Sequence, residues 1–189
     1  MGTVLAALIA LCGVIIAAYI NNFLAEDYKR HKHRVTLAAS LAGELGSHSL
    51  AFPIFRRTLF LLLEAAKEGK TLEFPKGMSA PSDPIYEHAV TQLGVLGAEL
   101  TQDVVFVYQN IRAARMSFFG ICNSEKEPTN NLVVGALTSS LISLDRAVDK
   151  SEMLLQALTN TSKENYELRR GSFRLEVMSF RKSEWNKDR

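Results

Sequence analysis

An apolar run at the N-terminus constrains this chain more than any other part of its sequence. Residues Gly2 to Ala25 contain no charged side chain, and the first charge is Glu26. Because a helix rises about 1.5 Å per residue, the run reaches roughly 36 Å and can cross a hydrocarbon core of about 30 Å. Asn21 and Asn22, near its end, suit the membrane–water interface. The run predicts one transmembrane helix, and we assign residues 1–25 to this anchor.

Two other structures compete with the anchor. A cleavable signal peptide has a positively charged start, a shorter apolar region and a small-residue cleavage site. Here no Lys or Arg precedes the run, and Ala17-Ala18-Tyr19 is a poor cleavage site. A buried core helix is the other alternative, but one that begins at residue 2 and has no polar face would be unusual. Length and flanks therefore favour the anchor over both alternatives.

A basic segment follows the anchor directly. Residues 26–34 form a juxtamembrane segment whose cationic part, Lys29 to Arg34, is called the basic collar below. Lys and Arg beside a span are retained in the cytoplasm, so the collar predicts an outside N-terminus and a cytoplasmic body at the cell's inner membrane. Anionic lipids attract such clusters. We expect four collar side chains to contact the membrane surface, namely Lys29, Arg30, Lys32 and Arg34.

Cysteine usage and net charge narrow the choice of compartment and partner. Cys12 lies inside the anchor and Cys122 is alone in the body, so the body has no intramolecular disulfide and suits a reducing compartment. A net charge of +2 gives no basic excess of the kind that nucleic acid binding needs. We expect the lipid bilayer as one partner, with a protein partner or a second copy of the chain as another, and no nucleic acid.

The anchor helix is predicted to continue into the body. Apolar residues at helical spacing extend it to about Leu50, and Pro53 should end or kink the helix near Ala51 or Phe52. A second apolar segment, Ile54 to Ala66, is too short to cross a membrane. This segment is predicted to continue the helix after the kink, as a buried helix or an interfacial one.

A proline-rich loop over residues 67–84 precedes the next helix. Asp83 is predicted to cap that helix, which runs from Ile85 to about Leu93 and is closed by Gly94 and Gly97. Gly94 suits the left-handed conformation in which many helices end.

Two regular apolar stripes follow, one on a helix from Ala98 to about Phe119 and one after the polar connection of residues 120–129. Both repeat at helical spacing, and they predict an antiparallel helix pair that the proximal helix closes into a bundle. The predicted fold is all-α, with three to four helices in a domain over residues 35–170. The stripe residues are Leu100, Val104, Val107, Ile111, Ala114 and Phe118, then Val134, Leu137, Leu141, Leu144, Val148, Ser151, Leu155 and Leu158.

The last residues, 171–189, form a basic and aromatic tail. Arg and Lys are interleaved there with Phe, Met, Val, Leu and Trp. Such a composition suits an anionic membrane surface. A flexible terminus is the commoner outcome for such a stretch, and it is the one we expect.

The sequence contains no recognisable catalytic, cofactor-binding or metal-binding pattern. Glu44 and His48 share a helix face, but a di-iron bundle needs Glu-x-x-His pairs, and the sequence has none. It also lacks a Gly-x-x-x-x-Gly-Lys phosphate loop and a Gly-x-Ser-x-Gly elbow. We therefore expect no cofactor. A cavity that holds His48, His88 or Cys122 beside a carboxylate would favour an enzyme.

The middle of the chain carries a short pattern of Pro, Tyr, Gly and apolar residues. It consists of Pro84, Tyr86, Leu93, Gly94, Leu96, Val104, Val105 and Tyr108. With the anchor, this pattern resembles a loose group of uncharacterised bacterial and phage proteins that join one membrane helix to a helical cytosolic body. The resemblance covers the anchor and about the middle third of the chain. It implies architecture and location, and no reaction is assigned to the group.

Three functions fit these features. The leading hypothesis is a membrane-tethered helical interaction or scaffold module without catalytic activity, which rests on the anchor, the basic collar and the stripes. The second is a sensor or effector subunit that signals through the anchor, since the anchor helix is predicted to continue into the body. The third is an enzyme whose site the sequence does not reveal.

Overall fold

The computed structural model describes residues 2–125 and 127–166, apart from the side chains of residues 5–8. Within these ranges the chain is helical and contains no strand. The predicted tail over residues 171–189 and the last residues of the predicted domain lie outside the described residues. The helices are α1 (Gly2–Lys67), α2 (Pro84–Ala89), a 3₁₀ helix (Val90–Leu96), α3 (Ala98–Cys122) and α4 (Asn130–Ser162).

Helix α1 forms the long axis of the molecule. Its 66 residues correspond to roughly 99 Å. The apolar side chains described between Val4 and Phe23 are exposed, whereas the second half of the helix buries a face against the rest of the chain. Among the described helices, α1 alone is long and apolar enough to cross a membrane by length and composition. The buried residues of its second half include Leu37, Ala38, Leu41, Leu45, Phe52, Leu59, Leu63 and Ala66.

Pro53 lies inside α1 and does not end it. A proline removes one helical hydrogen bond, here the one that the Ser49 carbonyl would accept, at a cost of about 3 kcal/mol. Phe52 and Leu59 are buried on either side of this position, and their packing holds the helix in place through the proline. Tertiary contacts thus override the local signal that predicted a possible helix end near Ala51 or Phe52.

Helix α4 packs against both α1 and α3. Four residues of its predicted stripe, Leu137, Leu144, Ser151 and Leu158, are buried. The other four residues of the stripe are half-buried, and a second row of residues beside the stripe on α4 is buried as well. Because α4 has two helical neighbours, its apolar face is wider than the single seam that the spacing predicted. The neighbouring row consists of Val133, Ser140, Ala147, Leu154 and Thr161.

Polar contacts join the three long helices at several levels. Lys150 Nζ lies 2.8 Å from Asp103 Oδ1, and the Ser140 hydroxyl donates to the Ala114 carbonyl at 2.8 Å. On the other side of α4, Arg56 Nε donates to Asp145 Oδ1 at 2.6 Å. The burial of Val104, Val107, Ile111 and Ala114 on α3 agrees with the predicted stripe.

The start of α2 differs from the prediction. Asp83 precedes α2, but its side chain makes no cap hydrogen bond. Instead, Glu44 of α1 accepts the backbone N–H of Ile85 and of Tyr86, each at 2.9 Å. A carboxylate from a distant helix therefore satisfies two of the donors that a helix start leaves free.

The end of this segment also differs from the prediction. The chain continues from α2 into the 3₁₀ helix, and Gly94 lies within that helix without a positive φ. Gly97 has φ +93° and is the residue that needs the conformational freedom of glycine. The left-handed position therefore falls three residues later than predicted.

Candidate functional site

The basic collar and the residues that flank it divide between two faces of α1. Residues 27, 30, 31 and 34 follow the spacing of one helix face, and residues 29, 32, 33 and 36 follow that of another. Each set lines its own cavity, of about 440 Å³ and about 410 Å³ respectively. The predicted surface contacts are therefore split, with Arg30 and Arg34 on the first face and Lys29 and Lys32 on the second.

The first cavity, called the collar cavity below, forms where three elements meet. Helix α1 contributes Asp27, Arg30, His31 and Arg34. The 3₁₀ helix contributes Gly94 and Val95, and the segment after α4 contributes Tyr166. Residues from distant parts of the sequence thus enclose a cluster that the sequence showed only as a linear basic run.

Tyr166 fixes the end of the α4 segment against the collar. Its hydroxyl donates to Asp27 Oδ2 at 3.1 Å. Its ring meets Tyr28 edge-on at a centroid distance of 5.2 Å and lies 5.4 Å from the His31 ring. Partial burial and the hydrogen bond to Asp27 raise the pKa of Tyr166, so its hydroxyl stays protonated as a donor.

The two arginines of the collar cavity have incomplete ion pairs. Arg30 Nε lies 3.4 Å from Glu26 Oε1, but the two side chains are 76% and 60% exposed, so the pair contributes little. Arg34 Nη1 lies 3.4 Å from Glu164 Oε2. The Nε–H of Arg34 is buried and has no acceptor among the described residues. The guanidinium groups on this face therefore keep N–H donors without an acceptor among the described residues.

The second face is more open. Lys29, Lys32 and His33 are exposed and line a shallow cavity with Gln92. In the described part of the chain, neither lysine forms an ion pair. This face presents separate point charges, while the first face groups its charged residues around a half-open cavity.

A buried polar cluster lies deeper in the body, between α1, α3 and the end of the long loop. Asp83 is its centre, with a side chain only 2% exposed. Arg115 Nη1 donates to Asp83 Oδ1 at 2.6 Å and to the Pro81 carbonyl at 3.3 Å. His48 Nε2 lies 2.9 Å from the same Asp83 oxygen, although the contact lacks hydrogen-bond alignment. These contacts hold the loop end against both helices.

The protonation of the buried polar cluster follows from these contacts. Burial alone would raise the pKa of Asp83, but the close contact with His48, the hydrogen bond from Arg115 and the charge of Arg115 outweigh it and lower the pKa. Arg115 Nη2 lies 3.3 Å from His48 Nδ1. Since a guanidinium is only a donor, this contact assigns the His48 proton to Nε2, towards Asp83.

Two stacked tyrosines extend this region. The rings of Tyr86 and Tyr108 lie 4.2 Å apart and are parallel to within 4°. Burial and the nearby charge of Glu44 raise the pKa of Tyr108, whose hydroxyl lies 3.5 Å from the Leu41 carbonyl. Both tyrosines are buried residues of the core.

Three residues would indicate an enzyme if they lay in a cavity beside a carboxylate. His48 lines a cavity of about 240 Å³ with Arg115, beside Asp83. Cys122 lines another of about 640 Å³ that also contains Glu73 and Glu127, and burial raises the pKa of its thiol. His88 is exposed. Among the described residues, no three or more His, Cys, Asp or Glu side chains are grouped to hold a metal ion.

An apolar surface surrounds the proline of α1. Leu50, Ile54 and Leu61 are exposed and follow the spacing of one helix face. A groove of about 630 Å³ runs beside Pro53 between α1 and α4. Its apolar lining includes Phe52, Phe60, Leu141 and Val148, and its charged lining includes Arg56, Arg57 and Glu152.

The sequence indicates the site residues on α1 but not the residues that contact them from other helices and loops. The shared face of Glu44 and His48 was visible from their spacing, but their partners are tens of residues away. Arg115 offered one signal, since it is a charge beside the apolar stripe of α3. Comparisons with protein-family models, curated proteins and solved structures find no match to this chain.

Proposed function

We propose that this protein is a membrane-tethered helical interaction module without catalytic activity. The observation that carries the proposal is the continuity of α1 from Gly2 to Lys67. Its first part has the length and exposed apolar side chains of a membrane span, and its second part is buried against α4. One helix would then supply both the tether and one wall of the body.

The proposed body is an antiparallel bundle on the cytoplasmic side. Contacts between α3 and α4 support this arrangement, because residue 103 pairs with 150 while residue 114 pairs with 140. Contacts of α1 with α4 and the segment directly after it run likewise, from 34 with 164 to 56 with 145. The basic collar supports the cytoplasmic orientation through its positive charge.

The exposed apolar residues beside Pro53 are the proposed interaction surface. Exposed apolar patches of this kind often mark protein contacts. Leu50, Ile54 and Leu61 form such a row on the outer face of α1, next to the groove. A protein partner or a second copy of the chain would cover them.

Chemical cross-linking in native membranes tests this surface. Ile54→Asp should remove the cross-linked species of the full chain, because it places a charge in the apolar contact. Met116→Asp is the matched control, since Ile54 and Met116 are both 72% exposed and Met116 lies on α3. Equal yields from both variants, or no cross-linked species from the parent chain, would contradict the proposal.

Signalling through α1 is the second candidate, and the uninterrupted helix also favours it. Bilayers of different thickness change the tilt of a span, and a continuous helix would pass that change to its contacts with α4. Hydrogen exchange of α4 amides should therefore differ between thin and thick nanodiscs. A flexible Gly-Ser insertion near Asp27, between Ala25 and Glu26, should abolish the difference; an unchanged difference would contradict signalling.

The structure places His48 and Cys122 in cavities near carboxylates, as the enzyme hypothesis requires, but neither side chain is a free reactive group. Both ring nitrogens of His48 face protein groups, Asp83 and Arg115. Burial favours the unreactive thiol form of Cys122. We expect slow alkylation of Cys122 by iodoacetamide at neutral pH, and a rate typical of an exposed thiolate would favour an enzyme instead.

A further inference from the structure

We propose that the collar cavity binds the phosphate headgroup of an anionic lipid. This inference rests on the proposed membrane tether and makes it more specific, because it assigns binding to one face of the basic collar. The residues that carry it are Arg30 and Arg34, with His31 between them and Val95 and Tyr166 as walls.

The position of the cavity along α1 suits a headgroup. Arg30 and Arg34 follow Ala25 by five and nine residues, roughly 8 and 14 Å along a helix. The headgroup region adds about 5–8 Å to each side of the hydrocarbon core. Helical side chains lean towards the N-terminus of their helix, which here is the direction of the membrane. Arg30 can therefore reach the level of the lipid phosphates, and Arg34 lies about 6 Å, one helical turn, further from the membrane.

The chemistry of the cavity suits a phosphate oxyanion. A guanidinium binds phosphate through two parallel N–H donors, whereas lysine acts as a point charge. Arg30 pairs with Glu26 and Arg34 with Glu164, each at 3.4 Å between partly exposed side chains, and a phosphate can exchange for either carboxylate. The Nε–H of Arg34 also lacks an acceptor within the described residues, but it is itself buried. Among the described lining residues Asp27 alone carries a carboxylate, and the Tyr166 hydroxyl donates to it.

The shape of the cavity favours a specific binding site over a general attraction between the basic collar and an anionic membrane. Val95 and Tyr166 bring apolar and aromatic surface against the arginines, which restricts the directions from which an anion can approach. The lysine face of the collar is more open, and Gln92 is the one described residue from outside α1 that lines it. A bound lipid should therefore depend on Arg30 and Arg34 more than on Lys29 and Lys32, although all four lie at the same membrane boundary.

Native mass spectrometry of the full chain in detergent tests the proposal with two matched double variants. The parent should retain one phosphatidylglycerol per chain in preference to phosphatidylcholine. Arg30→Gln with Arg34→Gln should weaken this retention by about tenfold or more. Lys29→Gln with Lys32→Gln removes the same charge from the other face and should leave retention within about twofold.

Several results would overturn the proposal. One is an equal loss of lipid retention in the two double variants, which would mean that the overall charge of the collar, and not the cavity, binds the lipid. Another is a parent chain that shows no preference for phosphatidylglycerol. Binding of inorganic phosphate with the same dependence on Arg30 and Arg34, without lipid retention, would assign the cavity to a soluble anion. Release of the chain by alkaline carbonate would reject the tether as well, whereas a retained chain without lipid preference rejects this inference alone.

A further variant tests the proposal without changing the arginines, in case their replacement prevents folding. Val95 lines the collar cavity from the 3₁₀ helix and is 37% exposed. Val95→Glu places a negative charge in the wall while both arginines remain. We expect loss of phosphatidylglycerol retention with an unchanged circular dichroism spectrum, and full retention would overturn the proposal.

Discussion

At the scale of single residues, Glu44 takes the capping role that local sequence assigned to Asp83. Its carboxylate accepts two backbone N–H groups at the start of α2 and is nearly buried. Hydrogen bonds to a charged group are worth about 1.5–3 kcal/mol each, and a buried donor left unpaired costs about as much as the bond it loses. The position of α2 on the body therefore depends on one side chain of α1.

Replacing Glu44 by Gln should lower the free energy of unfolding by about 1–3 kcal/mol. The amide keeps one acceptor oxygen but turns its N–H₂ towards the second backbone donor. Urea unfolding in mild detergent, followed by circular dichroism, measures the change. Glu64→Gln, which alters an exposed ion pair with Lys67, should change the free energy by less than about 0.5 kcal/mol. Equal effects of the two variants would contradict the capping role.

The lowered pKa of Asp83 predicts a loss of stability in acid. Its folded pKa lies below the ordinary value of 3.8, so the ionised carboxylate stabilises the fold above that pH. The stabilisation is lost as the pH falls through the folded pKa, that is, below about pH 4. Urea midpoints of the parent and of Asp83→Asn should differ at pH 7 and converge in acid. Asp149→Asn, at an exposed site, should keep the parent's profile, and a constant gap for Asp83→Asn would contradict the role of ionisation.

At the scale of elements, the sequence predicted what depends on spacing along one helix. The stripe of α3 is buried at Val104, Val107, Ile111 and Ala114 because helical period alone decides which residues share a face. The spacing predicted only about half of the buried residues of α4, because the width of its buried face depends on its two neighbouring helices. Helix ends were the least predictable, because Glu44 and the packing around Pro53 act across the fold.

The boundary between the 3₁₀ helix and α3 offers a matched pair of glycines. Gly97 has φ +93°, where a side chain causes strain, whereas Gly94 has no positive φ and has open space where an added Cβ would lie. Gly97→Ala should lower the free energy of unfolding by about 1–2 kcal/mol. Gly94→Ala should be neutral or stabilise by up to about 1 kcal/mol. Urea unfolding of the two variants measures both effects, and the reverse order would place the left-handed residue at Gly94.

At the scale of the whole molecule, α1 connects the collar cavity, the buried polar cluster and the apolar surface beside Pro53. The apolar run, the basic collar, Glu44, His48 and the surface beside Pro53 follow one another along this helix. The linear order of these features was readable from the sequence. The enclosure of the collar by Val95 and Tyr166 was not, because it requires the 3₁₀ helix and the end of α4 to meet at the same level. The cavity is therefore a property of the assembled body.

The orientation of the chain in the membrane should depend on the basic collar alone. A reporter fused after Arg189 should be cytoplasmic in the parent, since Lys and Arg within about 15–20 residues of a span decide its direction. Replacing the four cationic residues Lys29, Arg30, Lys32 and Arg34 by Gln should move a substantial fraction of the reporter outside. The same number of changes at Arg56, Arg57, Lys67 and Lys70 lies beyond that distance and should leave the reporter inside. An external reporter in the parent would reverse the proposed orientation, and equal shifts in both variants would show that net charge, and not the collar, decides it.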